Sequence, residues 1–164
     1  AVSVLFTYPV SFMLQENRST PSDSLSQNII SRKKEPEFSY ARNAVKAINN
    51  PRHGFTSASY LKITRIVLNK RSTVLYFDVT FRPKWWIRVP ENTYIRPDNA
   101  SKRLYIKSAE GIPLNEKYYM PESGKVSYKL HFPPINKNAS YIDYGEEDNS
   151  QGVWLIKNIE LIER

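Results

Sequence analysis

From Tyr60 onward, apolar and polar side chains alternate along the chain, and a period of two marks strands buried on one face. In LKITRIVL, residues 61 to 68, Leu61 and Ile63 stand in one phase and Ile66 and Leu68 in the other. One extra residue near Thr64-Arg65, a β-bulge, reconciles them. VLYFDVTF, residues 74 to 81, turns Leu75, Phe77, Val79 and Phe81 inward, and Asn69 to Ser72 joins the two runs as a hairpin. RLYIK, residues 103 to 107, follows the turn-forming Pro97-Asp98-Asn99. VSYKLHF, residues 126 to 132, puts Val126, Tyr128, Leu130 and Phe132 inside and Ser127, Lys129 and His131 outside, so His131 is expected to meet solvent rather than a ligand. After Pro133-Pro134 come ASYID, a solvated acidic loop Gly145-Glu146-Glu147-Asp148, and GVWLIKNIEL, whose unbroken Val153-Trp154-Leu155-Ile156 predicts a central strand covered on both faces. Roughly seven to nine short runs at intervals of about ten residues predict an all-β, antiparallel, immunoglobulin-like β-sandwich.

The pattern differs before Tyr60. Ala41, Ala44, Val45 and Ile48 recur at helical spacing and Asn49-Asn50-Pro51 closes the run, which predicts one short helix over 41 to 49. Residues 15 to 37 are rich in Ser, Asn, Gln and charge and read as a polar linker. The β-sandwich domain is accordingly expected over 38 to 164. AVSVLFTYPVSFML, residues 1 to 14, is apolar but interrupted by Ser3, Thr7, Pro9 and Ser11, and is too short to span a bilayer, which takes about 20 apolar residues. It fits either the apolar part of a secretory signal or an edge strand. No transmembrane segment is expected.

Chemistry enters mainly by exclusion. The 164 residues hold no cysteine and two histidines, His53 and His131. Disulfides, thiolate metal sites and thiol nucleophiles are absent, and a histidine-based site has little to draw on. Asp143, Glu146, Glu147 and Asp148 lack the spacing of a calcium loop. No metal, cofactor or catalytic residue is expected, and the chain reads as a non-enzyme. The net charge of +8 is uneven: residues 42 to 107 carry 14 basic and 3 acidic side chains, and residues 108 to 164 carry 6 and 9. A basic side facing an anionic partner, or a simple dipole, accounts for that.

The densest candidate feature is FRPKWWIRVPENTYIR, residues 81 to 96, with two of the chain's three tryptophans. Neighbours on a strand point to opposite faces. Ile87 and Val89 share a side with Trp85, so Trp85 is expected in the core and Trp86 outside beside Arg88 or Arg82. A binding surface built from Arg82, Lys84, Trp86, Arg88, Tyr94, Arg96, Lys102 and Arg103 follows, able to stack a sugar, a base or a partner's side chain.

The succession VLYFDVTFRPKWWIRVPENTYIRPD, LYIKSAEGIPLNEKYYMPESGKVSYKLHFPPIN, YIDYGEED and GVWLIKNIEL resembles the N-terminal β-sandwich module of TlpA-type thioredoxin-like envelope proteins of Gram-negative anaerobes. The resemblance runs from about Glu37 to Leu161. RPKWWIR at 82 to 88, MPESG at 120 to 124 and HFPP at 131 to 134 carry most of it. The family usually places a cysteine-containing stretch before its last strand, where this chain has Gly145-Glu146-Glu147-Asp148-Asn149. Thioredoxin chemistry needs a Cys-x-x-Cys pair, and these residues contain none. The resemblance implies a fold and an address in the periplasm or cell envelope, not a reaction. The expected function is an exported interaction or positioning domain, with or without a thioredoxin-like redox partner at its side. Its expected partner is a protein or envelope component, with a glycan next and single-stranded nucleic acid behind.

Overall fold

The computed structural model describes residues 45–98, 100, 102–148 and 152–163. The expected signal-like or edge segment, the linker and the first residues of the expected domain lie outside them. In chain order the strands are β1 (Lys46–Asn49), β2 (Leu61–Leu68), β3 (Thr73–Thr80), β4 (Trp86–Ile87), β5 (Tyr94–Pro97) and β6 (Leu104–Tyr105). β7 (Ser108–Glu110), β8 (Tyr118–Tyr119), β9 (Lys125–Phe132), β10 (Tyr141–Asp148) and β11 (Gly152–Glu160) follow. One sheet has the order β1-β2-β3-β9-β7, the second β11-β10-β5-β6, and β4 and β8 form a separate ribbon. All these pairs are antiparallel. The described residues are therefore all-β and sandwich-like, as the alternation implies.

The two sheets share one core. Ile66, Leu75, Phe77, Leu130 and Phe132 come from the first sheet and Ile95, Ile142, Tyr144 and Ile156 from the second, and all are fully buried. Side chains of this kind contribute about 1.5–3 kcal/mol each through burial. The Phe77 ring stacks on Tyr128 at 5.3 Å and meets Tyr144 of the facing sheet at 5.0 Å. The expected bulge is present: the β2–β3 register shifts between Ile63 and Arg65, which brings both apolar phases of β2 to the core. The Asn69 N–H donates to Ser72 O at 2.9 Å and closes the expected hairpin.

Both flanks of the sandwich are crossed by the chain. Residues 52 to 57 leave β1 and lie along β11: Gly54 N–H donates to Lys157 O (2.8 Å), Lys157 N–H to Phe55 O (2.8 Å) and Ser57 N–H to Leu155 O (2.9 Å). On the other flank, residues 104 to 110 pair first with β5 and then with β9, through Ile106 N–H to Thr93 O and Lys107 N–H to His131 O, both 2.8 Å. A chain that changes sheets in this way satisfies backbone groups that an open edge would leave available to another strand. The Ala47 N–H on β1 is met by the Glu163 carboxylate at 3.3 Å.

Three expectations are corrected. No helix occurs among the described residues, and Lys46–Asn49 of the expected helix is a strand paired with β2. Two or three isolated helical turns are marginal in water, whereas pairing satisfies the same groups and delivers Ile48 to the core. β11 is the outermost regular strand of its sheet, not a central one: residues 52 to 57 are hydrogen-bonded along its outer edge, and Trp154 and Leu155 are half-buried. Gly145 to Asp148 belong to β10 rather than to a solvated loop, and Asp143 and Glu146 are each only 2% exposed. No helix among the described residues is long and apolar enough to cross a membrane.

Candidate functional site

Trp86 stands on the small ribbon and Trp85 ends the turn that leads into it. Phe81 leaves β3 with its N–H bonded to Gly124 O at 2.8 Å, and the chain then turns at once, the Trp85 N–H donating to Arg82 O at 3.2 Å. Pro83 presets φ at the second position of this turn, and Lys84 at the third has φ 64. Glycine or asparagine usually fills such a position; a side chain there costs about 1–2 kcal/mol. The strain is held by the opposite segment, since Lys84 N–H donates to Met120 O (3.1 Å) and Met120 N–H to Trp85 O (2.6 Å). Gly124 completes the base with φ +66, where a Cβ would fall 2.5 Å from Phe81 O.

The strand phase therefore starts at Trp86, not Trp85. Trp86 lies opposite Tyr119 and Ile87 opposite Tyr118 in the β4–β8 pair, and partners across a pair share a face. Ile87 is buried and Tyr118 packs on the core, while Tyr119 is 59% exposed. Trp85, still in the turn, is 52% exposed. The expected burial of Trp85 is thus wrong, whereas Ile87 and Val89 do point inward as expected. Trp86 is half-buried. Arg82 lies over the Trp85 ring at 4.7 Å and Lys117 Nζ over the Trp86 ring at 4.7 Å. Lys84 Nζ stands 3.7 Å from the Glu122 carboxylate, both side chains in water, so this pair adds little stability.

Of the eight residues expected to form one surface, Arg82, Lys84 and Trp86 are together on the ribbon. Arg88 follows β4 and is half-buried. Tyr94, Arg96, Lys102 and Arg103 belong to β5 and its approach to β6 in the second sheet. Tyr94 is 4% exposed, packs over Gly145 of β10 and carries the Arg103 guanidinium over its ring at 4.2 Å. The Arg96 guanidinium pairs with the buried Asp143 carboxylate at 3.3 Å, and Asp143 also accepts from the Asn158 N–H at 2.9 Å. Those contacts tie the sheet together. Lys102 is exposed. Trp85, Lys117 and Tyr119 were not expected at the site; the Tyr118-Tyr119 doublet, opposite Trp86-Ile87, was the signal for the last of them.

Elsewhere, His131 stands on the outer face but is largely covered, its Nε2 2.9 Å from the Glu110 carboxylate of β7. Glu146 faces the core, where the Tyr144 hydroxyl donates to its carboxylate in a short hydrogen bond. Burial first, and the nearby Glu146 charge second, hold the phenols of Tyr60, Tyr128 and Tyr144 well above their ordinary range. No group of three His, Asp or Glu side chains placed to hold a metal occurs among the described residues.

The ribbon geometry makes a stability contrast. Trp85→Ala should cost under about 1 kcal/mol, because the ring is already half in water. Ile87→Ala, which empties a core position, should cost about 2–5 kcal/mol. Chemical denaturation of the two variants checks this; a larger loss for Trp85→Ala would put that ring in the core. Comparison of the chain with family models, with curated proteins and with solved structures finds no match in any of the three.

Proposed function

We propose that this chain is a non-enzymatic interaction or positioning module, exported to the periplasm or cell envelope, whose contact surface is the β4–β8 ribbon. The observation that carries the reading is the exposure of two rings, Trp85 at 52% on a strained turn fixed by backbone bonds and Tyr119 at 59% on β8. Exposed large aromatics held rigid on a small element lose little entropy on binding, which is why such residues recur as anchors of interfaces. Arg82 and Lys117, already placed over tryptophan rings, supply the cationic half of a stacking surface. The crossed flanks favour contact through side chains over addition of a partner strand. The resemblance of RPKWWIR, MPESG and HFPP to the module of TlpA-type envelope proteins supports the exported address and a role beside a thioredoxin-like partner. It also favours the finer fold assignment, an immunoglobulin-like sandwich.

Binding of a glycan or of single-stranded nucleic acid through the same basic-aromatic face is the second reading, favoured by the cations over the rings. The test of the first is retention on envelope material. In cells expressing the complete gene product, the wild type should fractionate with the envelope, and Trp85→Ala/Tyr119→Ala should be released at unchanged folding. Equal retention of the two proteins would overturn the ribbon as the contact surface.

A further inference from the structure

Resting on that reading, we propose that the ribbon is a subsite for an acidic saccharide, in which a sugar ring lies on Trp85 or Tyr119 and its carboxylate is met by Arg82, Lys84 or Lys117. Three features lead to this ligand chemistry. The first is the donor set. The basic side chains at the ribbon only donate hydrogen bonds, and Glu122, beside them, is engaged by Lys84. A ligand rich in acceptors and bearing some negative charge complements that set, whereas a neutral sugar is ordinarily gripped by carboxylates and amides that accept from its hydroxyls. The second is charge density. The stretches forming the ribbon, residues 82 to 88 and 116 to 122, bring four cations, Arg82, Lys84, Arg88 and Lys117, against two carboxylates, Glu116 and Glu122. A nucleic-acid strand carries a charge on every nucleotide and draws its affinity from many phosphate contacts. So few net charges suit a chain that is charged only on some units.

The third feature is size. A stable protein interface buries about 800 Å² on each side around an apolar centre. The ribbon offers two-residue strands with two well-exposed rings, one of them, Trp85, beneath the Arg82 guanidinium, and this narrow feature fits a single linear ligand better than a folded partner. Arg82 and Lys117 already lie over the rings of Trp85 and Trp86, so the carboxylate is met by cations that stand beside the stacking surface.

The probes are hyaluronan oligomers, in which a uronic acid alternates with a neutral sugar, the same oligomers with their carboxyls methyl-esterified, and oligothymidylate, each titrated against the complete chain by tryptophan fluorescence and calorimetry at two salt concentrations. Binding of the free-acid oligomer is expected, weakened roughly tenfold or more by Trp85→Ala and by Arg82→Gln, and similarly by esterification. Lys84→Gly removes a cation while relieving the strained turn, so weaker binding by this variant at equal or higher stability separates ligand contact from folding. Equal affinity for the esterified oligomer would overturn the carboxylate contact, and tighter, steeply salt-dependent binding of oligothymidylate would replace the saccharide by nucleic acid. No binding of any probe, with Trp85→Ala/Tyr119→Ala still released from the envelope, would overturn the saccharide and leave the ribbon as a contact surface. No binding together with unchanged envelope retention would overturn both.

Discussion

Phe77→Ala is expected to destabilise the fold by about 3–5 kcal/mol, a large part of what a domain of this size has. Phe77 is 1% exposed and stands where the sheets meet, stacked on Tyr128 of its neighbour strand and tilted against Tyr144 of the facing sheet. Removing the ring takes away its own burial and leaves a cavity. The flanking rings cannot fill that space freely, because Tyr144 is fixed by its bond to Glu146 and by an edge-to-face contact with Phe132. Phe77→Leu, which keeps most of the volume, should cost much less. Denaturant unfolding checks both; a loss under about 1 kcal/mol for Phe77→Ala would mean that the two sheets do not share this core.

Alkali should unfold the protein through three phenols. Tyr60, Tyr128 and Tyr144 are held above the ordinary phenol value of 10.0 in the folded state, chiefly by burial and then by the charge of Glu146. The folded state keeps protons that the unfolded state releases above about pH 10, so unfolding gains free energy as pH rises there. Below the ordinary phenol value these groups add no pH dependence; above it, stability should fall steadily. Tyrosinate absorbance should accordingly show some tyrosines ionising only as the fold is lost. Glu146→Gln, which removes the second cause, should shift this alkaline transition upward. A stability that stays flat well above pH 10 would contradict the buried tyrosine–glutamate cluster.

The strands that bury one face were legible because their side chains alternate. β9 follows the pattern residue by residue, β2 and β3 follow it except where Ile66 to Leu68 and Thr73 to Leu75 are buried without a break, and even the bulge in β2 appears as a change of phase. Where the structure departs from expectation, the deciding contact lies far away in the chain. The spacing of Ala44, Val45 and Ile48 suits a helix, and only pairing with β2 makes Lys46–Asn49 a strand. The apolar run of β11 reads as a central strand, and only the order of the sheet, with β10 on one side and the irregular residues 52 to 57 on the other, shows it at the edge. Gly145 to Asp148 look like a solvated loop, since nothing local indicates that the facing sheet will bury Glu146 with its neighbour Tyr144, or that Arg96 and Asn158 will satisfy Asp143 in the interior.

The ribbon was half legible. The richness of residues 81 to 96 in cations and tryptophan was visible, but the face they present was not, because a lysine occupies the left-handed position that glycine would have announced. Counting alternation back from Ile87 through Trp85 crosses a turn and places that ring on the wrong side. Tyr94 and Arg96 misled for the opposite reason. They sit on a clean strand, and only the pairing of β5 with β10 commits them to Gly145 and Asp143.

The most direct measurement of the central claim, that Trp85 is an exposed contact residue, is iodide quenching of a protein in which Trp86→Phe and Trp154→Phe leave Trp85 as the sole tryptophan. In the free protein its fluorescence should be quenched efficiently, helped by the neighbouring Arg82 and Lys84, and envelope material should protect it. Weak quenching in the free protein would return Trp85 to the core, and quenching unchanged by the envelope would deny the ribbon its role.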